Sequence, residues 1–238
     1  MLLDSYETKE KVLIEFLKIC PFEGWSDETL LQAVYNCGIS KDFSDLIFEN
    51  GCLDLAEFYI SWQNQRAAKN IADIENFSSQ KIRDKIRLAL YERLKVESDN
   101  QIVLQRLISF YLDPKNFTSF NRGFRPLFQG LKDCYKIADF IWREIKDQTT
   151  DFNFYSKRLT LAKIILRSVF VFVKDETAEF NKTKTFIDRQ IANVMKFEKY
   201  KTEIKKIIGK VFLNENNAIK SPKELIANLP FFRLIKFK

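Results

Sequence analysis

The segment from Asp151 to Val173 contains neither Gly nor Pro, and Lys163 and Arg167 are the only charges in its second half, Leu161–Val173. A run of that length without turn residues reads as a helix. Phe152, Tyr155, Leu159, Ala162, Leu166 and Val169 recur at helical spacing and predict its buried face. Asp151, Phe154 and Arg158 fall on a second face. Thr150 suits the N-cap, and Asp151 the first turn, where a negative charge complements the helix dipole. A helix apolar on most sides predicts a place in the middle of a bundle. The two mid-segment cations argue against a membrane span.

The rest of the chain follows the same logic. Six Gly and five Pro in 238 residues are too few for turn-rich β structure, and a hydrophobic content of 46% supports a sizeable core. The expected fold class is all-α. A first helix is predicted from Asp4 or Ser5 to about Ile19, burying Val12, Phe16 and Ile19 and ended by Pro21. Ser26 is expected to cap a second helix, to Cys37, with Gly38 as its C′ residue. Ser40 is expected to cap a short third helix ended by Gly51. Further patterns cover Leu53–Asn76, then a helix capped by Ser79 with Ile82, Ile86, Leu90 and Leu94 on one face. Another starts at Asp99 and buries Val103, Leu107, Phe110 and Tyr111. Asp113-Pro114 reads as an N-cap and N1 pair, and the pattern from Phe117 to Ile145 is broken near Pro126. Phe186, Ile191, Val194 and Met195 mark a last bundle helix.

Helix, Gly-Ile-Ser turn and short helix make a helix-turn-helix pattern. It resembles the N-terminal part of TetR-type regulators. The charges oppose DNA binding: Ser40–Asn50 sets Lys41 against Asp42, Asp45 and Glu49, whereas a major-groove helix needs Arg and Lys. No nucleic-acid partner is expected.

The chain has no His, which removes Ser-His and Cys-His pairs and His-ligated zinc or haem. A di-iron bundle would need Glu-x-x-His motifs. No phosphate-cradling glycine loop occurs. Cys20, Cys37, Cys52 and Cys134 are scattered and read as reduced core thiols. No catalytic constellation, metal site or cofactor is indicated. The net charge of +7 is segregated: residues 196–238 hold 11 Lys/Arg and 4 Asp/Glu, so the remainder balances at zero. Within it, Phe197, Tyr200, Ile204, Ile207, Ile208 and Val211 form one helical face, and Lys205, Lys206 and Lys210 lie mainly elsewhere. A basic amphipathic helix fits either an anionic membrane surface or packing on the bundle. The expected organisation is 1–52, a helix-turn-helix-like part; 53–195, a bundle; and 196–238, a basic C-terminal segment.

Thr150-Asp151-Phe152-Asn153-Phe154-Tyr155-Ser156-Lys157-Arg158 resembles the signature of the Coq-nine family of ubiquinone-biosynthesis accessory proteins, typically Thr-Asp-Phe-Asn-Trp-Tyr-Thr-Lys-Arg. Phe154 replaces the usual Trp and Ser156 the usual Thr. Pro21-Phe22-Glu23-Gly24-Trp25-Ser26 and Phe186-Ile187-Asp188-Arg189-Gln190-Ile191 match in the same order and spacing. The resemblance implies a TetR-like bundle without catalysis that holds an isoprenoid quinone intermediate. It implies presentation to a di-iron demethoxyubiquinone hydroxylase at the membrane, and a homodimer. It tilts the Phe-rich bundle from a filled core towards a hollow one, with Phe128, Leu131, Phe140, Leu161, Ile165, Ser168 and Phe172 as expected walls. Asp151, Asn153, Phe154, Tyr155, Lys157 and Arg158 would face the partner, and the basic helix would contact the membrane. The family's eukaryotic members are mitochondrial. With no signal peptide visible before the first helix, this chain reads as bacterial and cytoplasmic, peripheral on the inner membrane. The rival readings are a TetR-type regulator with an apolar ligand and a His-free enzyme.

Overall fold

The computed structural model describes residues 5–114, 124–148 and 152–195. They are all-α, with no strand among them. The helices are α1 (Ser5–Glu23), α2 (Asp27–Asn36), α3 (Lys41–Ile47), α4 (Cys52–Ala72), α5 (Ile82–Lys95), α6 (Gln101–Leu112), α7 (Arg125–Glu144), α8 (Phe152–Phe172) and α9 (181–195). The chain divides into compact units Met1–Asp188 and Arg189–Lys238. Among the described residues, no helix is long and apolar enough to cross a membrane.

In the first unit α4 packs on α1, α5 and α7, while α7 also packs on α6 and, most extensively, on α8. Val12, Leu13, Phe16, Leu55, Ala56, Tyr59, Leu90 and Ile141 are fully buried at these contacts. The predicted caps at Ser26 and Ser40 form: their hydroxyls accept from the Thr29 and Phe43 backbone N–H groups at 3.2 and 3.3 Å.

Several boundaries move for local reasons. Pro21 lies inside α1 rather than ending it. The helix closes with Gly24 N–H donating to Cys20 O at 2.9 Å, so Pro21 is tolerated in the last turn. Helix α3 stops at Ile47, and Gly51 instead becomes the N-cap of α4 at φ 56°, ψ −128°. A side chain on Gly51 would strike the Asp27 carboxylate, which accepts from Cys52 N–H at 2.9 Å and thereby caps α4 from another helix. Helix α5 starts after Lys81, because residues 77–79 form a 3-10 turn that uses the Ser79 hydroxyl. Pro126 sits in the first turn of α7, where its missing N–H costs nothing, and so starts a helix instead of breaking one. The Asp113-Pro114 pair precedes, and the Thr150 cap falls within, stretches outside the described residues.

The larger correction concerns α8, which is not wrapped on all sides. Arg158, Leu161, Ile164, Ile165, Ser168 and Phe172 are buried. Tyr155 and Leu159, on the face predicted to be inside, are 59% and 61% exposed, and Phe170 is 40% exposed. The helix has two apolar faces, and its neighbours cover the one that the periodicity did not pick out.

A polar cluster lies in the core between α4 and α5. Arg93 and Glu97 pair at 2.7 Å, each 1% exposed. Tyr59 donates to Glu97, Gln63 donates to it at 2.9 Å, and Arg93 Nε reaches Asn64 at 2.6 Å. Burial and the Glu97 charge push the Tyr59 hydroxyl far above its ordinary pKa. Removing Arg93 or Glu97 would strand the other's buried charge, at about 3–5 kcal/mol.

Candidate functional site

A cavity of about 80 Å³ lies among α6, α7 and α8, with Ile60 of α4 contributing to its wall. Leu104, Leu107, Ile108 and Leu112 come from α6, Leu127, Leu131 and Ile137 from α7, and Leu166, Val169 and Phe170 from α8. Its surface is almost wholly apolar. Helices α6 and α8 both lie against or beside α7 but barely touch each other, so the cavity is the gap between them. Leu112, Leu131 and Phe170 are 40–46% exposed and form an apolar rim.

Sequence and packing explain the geometry. Gly130 faces the Tyr111 ring: a Cβ there would sit 2.8 Å from Cδ2 and 3.1 Å from Cγ. Glycine thus permits the close approach of α6 and α7 despite its cost inside a helix. The Tyr111 hydroxyl donates to Asp133, which also accepts from Gln129 at 2.8 Å. Burial raises the pKa of the Asp133 carboxyl, against the lowering effect of those hydrogen bonds. Burial likewise pushes the Cys134 thiol up to about 12, so the thiol on the cavity wall stays protonated and unreactive. This is a greasy slot with one polar corner. Among the described residues, no Cys, Asp or Glu cluster has the arrangement of a metal site.

The expected wall residues scatter. Leu131 lines the cavity. Leu161, Ile165 and Ser168 are buried in helix packing without lining it, and Phe172 lines a separate groove. Phe140 is half-buried and lines neither. Phe128, expected inside, is 65% exposed, with its ring against that of the exposed Phe124. The α6 wall was missed, although Val103, Leu107 and Tyr111 show its apolar stripe. The isolated Gly130 was the available signal of close approach.

The candidate partner face changes too. Asp151 lies outside the described residues. Arg158, expected on the surface, is 2% exposed. Its Nε binds Asp139 at 2.6 Å, its Nη1 donates to Phe154 O at 3.2 Å, and its guanidinium stacks 3.3 Å from the Phe154 ring centre. The cation thus locks α8 to α7. Lys157 pairs with Asp147 at 2.9 Å over the Trp142 ring. Asn153 and Tyr155 are exposed and Phe154 half-buried, and these remain as outer surface. The predicted membrane residues, Phe197 to Val211, lie outside the described residues.

Comparison with known proteins points to one family. The COQ9 family profile matches residues 127–198, which begin in α7 and include α8. The chain is similar to "Probable ubiquinone biosynthesis protein coq9, mitochondrial" of Dictyostelium discoideum: 23% identity over 208 residues, 85% of this chain and 64% of that protein. It is 22% identical to "Ubiquinone biosynthesis protein COQ9, mitochondrial" of Homo sapiens over 202 residues, covering 81% and 60%. The Schizosaccharomyces pombe protein of like name is 22% identical over 194 residues, covering 79% and 72%. The chain therefore spans just under two thirds of the first two relatives. A profile match that begins in α7 and runs through α9, with relatives aligned along 79–85% of the chain at 22–23% identity, makes the chain similar to the COQ9 proteins.

Proposed function

We propose that the protein serves ubiquinone biosynthesis as a non-catalytic accessory, holding an isoprenoid quinone intermediate between α6 and α8 and presenting it to a di-iron demethoxyubiquinone hydroxylase. The observation that carries this reading is the apolar gap with its exposed rim of Leu112, Leu131 and Phe170. At about 80 Å³ the gap is smaller than ordinary ligand pockets of about 300–1,000 Å³, so a tail enters by widening the seam. Because α6 and α8 share little contact, that opening sacrifices few native contacts. Each buried CH₂ then contributes about 0.8 kcal/mol before ordering costs. The exposed Leu159 suits a homodimer contact, and Asn153, Phe154 and Tyr155 suit the hydroxylase. The basic segment after Met195 suits reversible attachment to anionic membrane.

Mass spectrometry of lipid extracted from the purified chain tests the reading. Isoprenoid quinones or their precursors should co-purify with the natural chain and be lost from Leu166→Trp, which fills the gap. A lipid-free natural chain that also fails to take up added quinone would overturn it.

A further inference from the structure

A groove of about 520 Å³ lies where α5, the end of α8 and the start of α9 meet. Leu88, Leu94, Phe172 and Ile187 supply its apolar surface, and the Phe180 ring lies 4.7 Å from that of Phe172. On the rim, Lys184 Nζ is 3.0 Å from the carboxylate of Glu179, which is 80% exposed. Lys95, 69% exposed, makes only a loose 3.9 Å approach to Glu92. Glu179 and Phe180 both hold a left-handed backbone, at φ 52° and 57°. Non-glycine residues adopt that conformation at a cost, and it persists only where the surroundings enforce it. Asp175 enforces it here: buried, it accepts from the Thr177 and Thr183 backbone at 3.0 and 2.7 Å and from both hydroxyls. The first turn of α9 is thereby satisfied from within, and Lys184 is left paired with the exposed carboxylate of Glu179, whose backbone is left-handed.

We propose that this groove binds a single-chain amphiphile with an acidic head, and that Glu179 is its tethered competitor. The chain lies along Leu88, Phe172, Phe180 and Ile187, and the head takes the Glu179 position against Lys184 and Lys95. Exposed ion pairs are weak, so displacing Glu179 costs little. The volume falls in the range of small-molecule sites. The groove shares no lining residue with the α6–α8 gap and does not depend on what fills that gap.

Isothermal titration of the full-length chain with decanoate, decyl phosphate and decanol tests this. The acidic probes should bind and decanol should bind much more weakly; whichever acid binds more tightly tells a fatty acid from a lipid phosphate. Glu179→Gln should tighten decanoate about threefold, and Lys95→Gln with Lys184→Gln should weaken it about tenfold. Leu166→Trp should leave it unchanged. Helical circular dichroism confirms that each variant is folded, and Leu88→Trp, which blocks the groove without touching the charges, should abolish binding. No binding, equal binding of decanol, indifference to Glu179 and the lysines, or loss in Leu166→Trp would each overturn the proposal.

Discussion

Asp175 offers a quantitative test of how the loop between α8 and α9 is held. Burial alone would raise the pKa of its carboxyl, but hydrogen bonds from Thr177 and Thr183 outweigh burial and bring it from 3.8 to about 2. A depressed folded-state pKa means that the ionised form stabilises the fold. That contribution is present above the unfolded value and disappears as pH falls through the folded one. The difference corresponds to roughly 2 kcal/mol, complete above about pH 5, about half remaining at pH 3 and little left at pH 2. Asp175→Asn keeps the shape but loses the charge-assisted acceptor. In urea unfolding followed by circular dichroism, the natural chain should exceed the variant by roughly 2 kcal/mol at pH 6. The gap should narrow to about 1 kcal/mol at pH 3. Other carboxylates titrate in both proteins and cancel in the difference. A gap independent of pH would refute the reasoning, because the carboxylate would then be acting through shape alone.

Replacing Arg158 by Met should cost about 3 kcal/mol in urea unfolding, because Asp139 and Asp147 lose a buried cation; a change under about 0.5 kcal/mol would mean that the guanidinium is solvated. Gly130→Ala should lower stability by about 1 kcal/mol, as overpacking against Tyr111 exceeds the gain in helix propensity; a higher melting temperature would show that Tyr111 can step aside. A chain ending at Met195 should lose flotation with anionic vesicles, as should Ile204→Asp with Ile208→Asp, and flotation equal to that of the full chain would remove the membrane role. Phe154→Ala should weaken capture of the hydroxylase with the fold intact; unchanged capture would discount that face.

What the sequence made legible was local. The Ser26 and Ser40 caps form as read, because a hydroxyl accepting a third-residue N–H needs only its own neighbours. Helix existence followed from periodicity and scarce Gly and Pro. The failures are questions of which neighbour arrives. Helix α8 carries two apolar stripes, and only the arrival of α7 decides which is buried. Arg158 reads as a surface charge until Asp139, from another helix, is placed 2.6 Å away. Gly51 reads as a helix stop until Asp27 comes over the top of α4. The gap between α6 and α8 could not be read from the pattern: its α6 wall is non-local, and hollow and filled cores share one periodicity.

The gap between α6 and α8 also has a consequence for hydration. It opens to solvent along the rim of Leu112, Leu131 and Phe170, so it is space that water can enter in the folded chain. Its almost wholly apolar lining offers such water few hydrogen-bond partners. A guest therefore displaces poorly held water, and apolar atoms that take its place gain from the release.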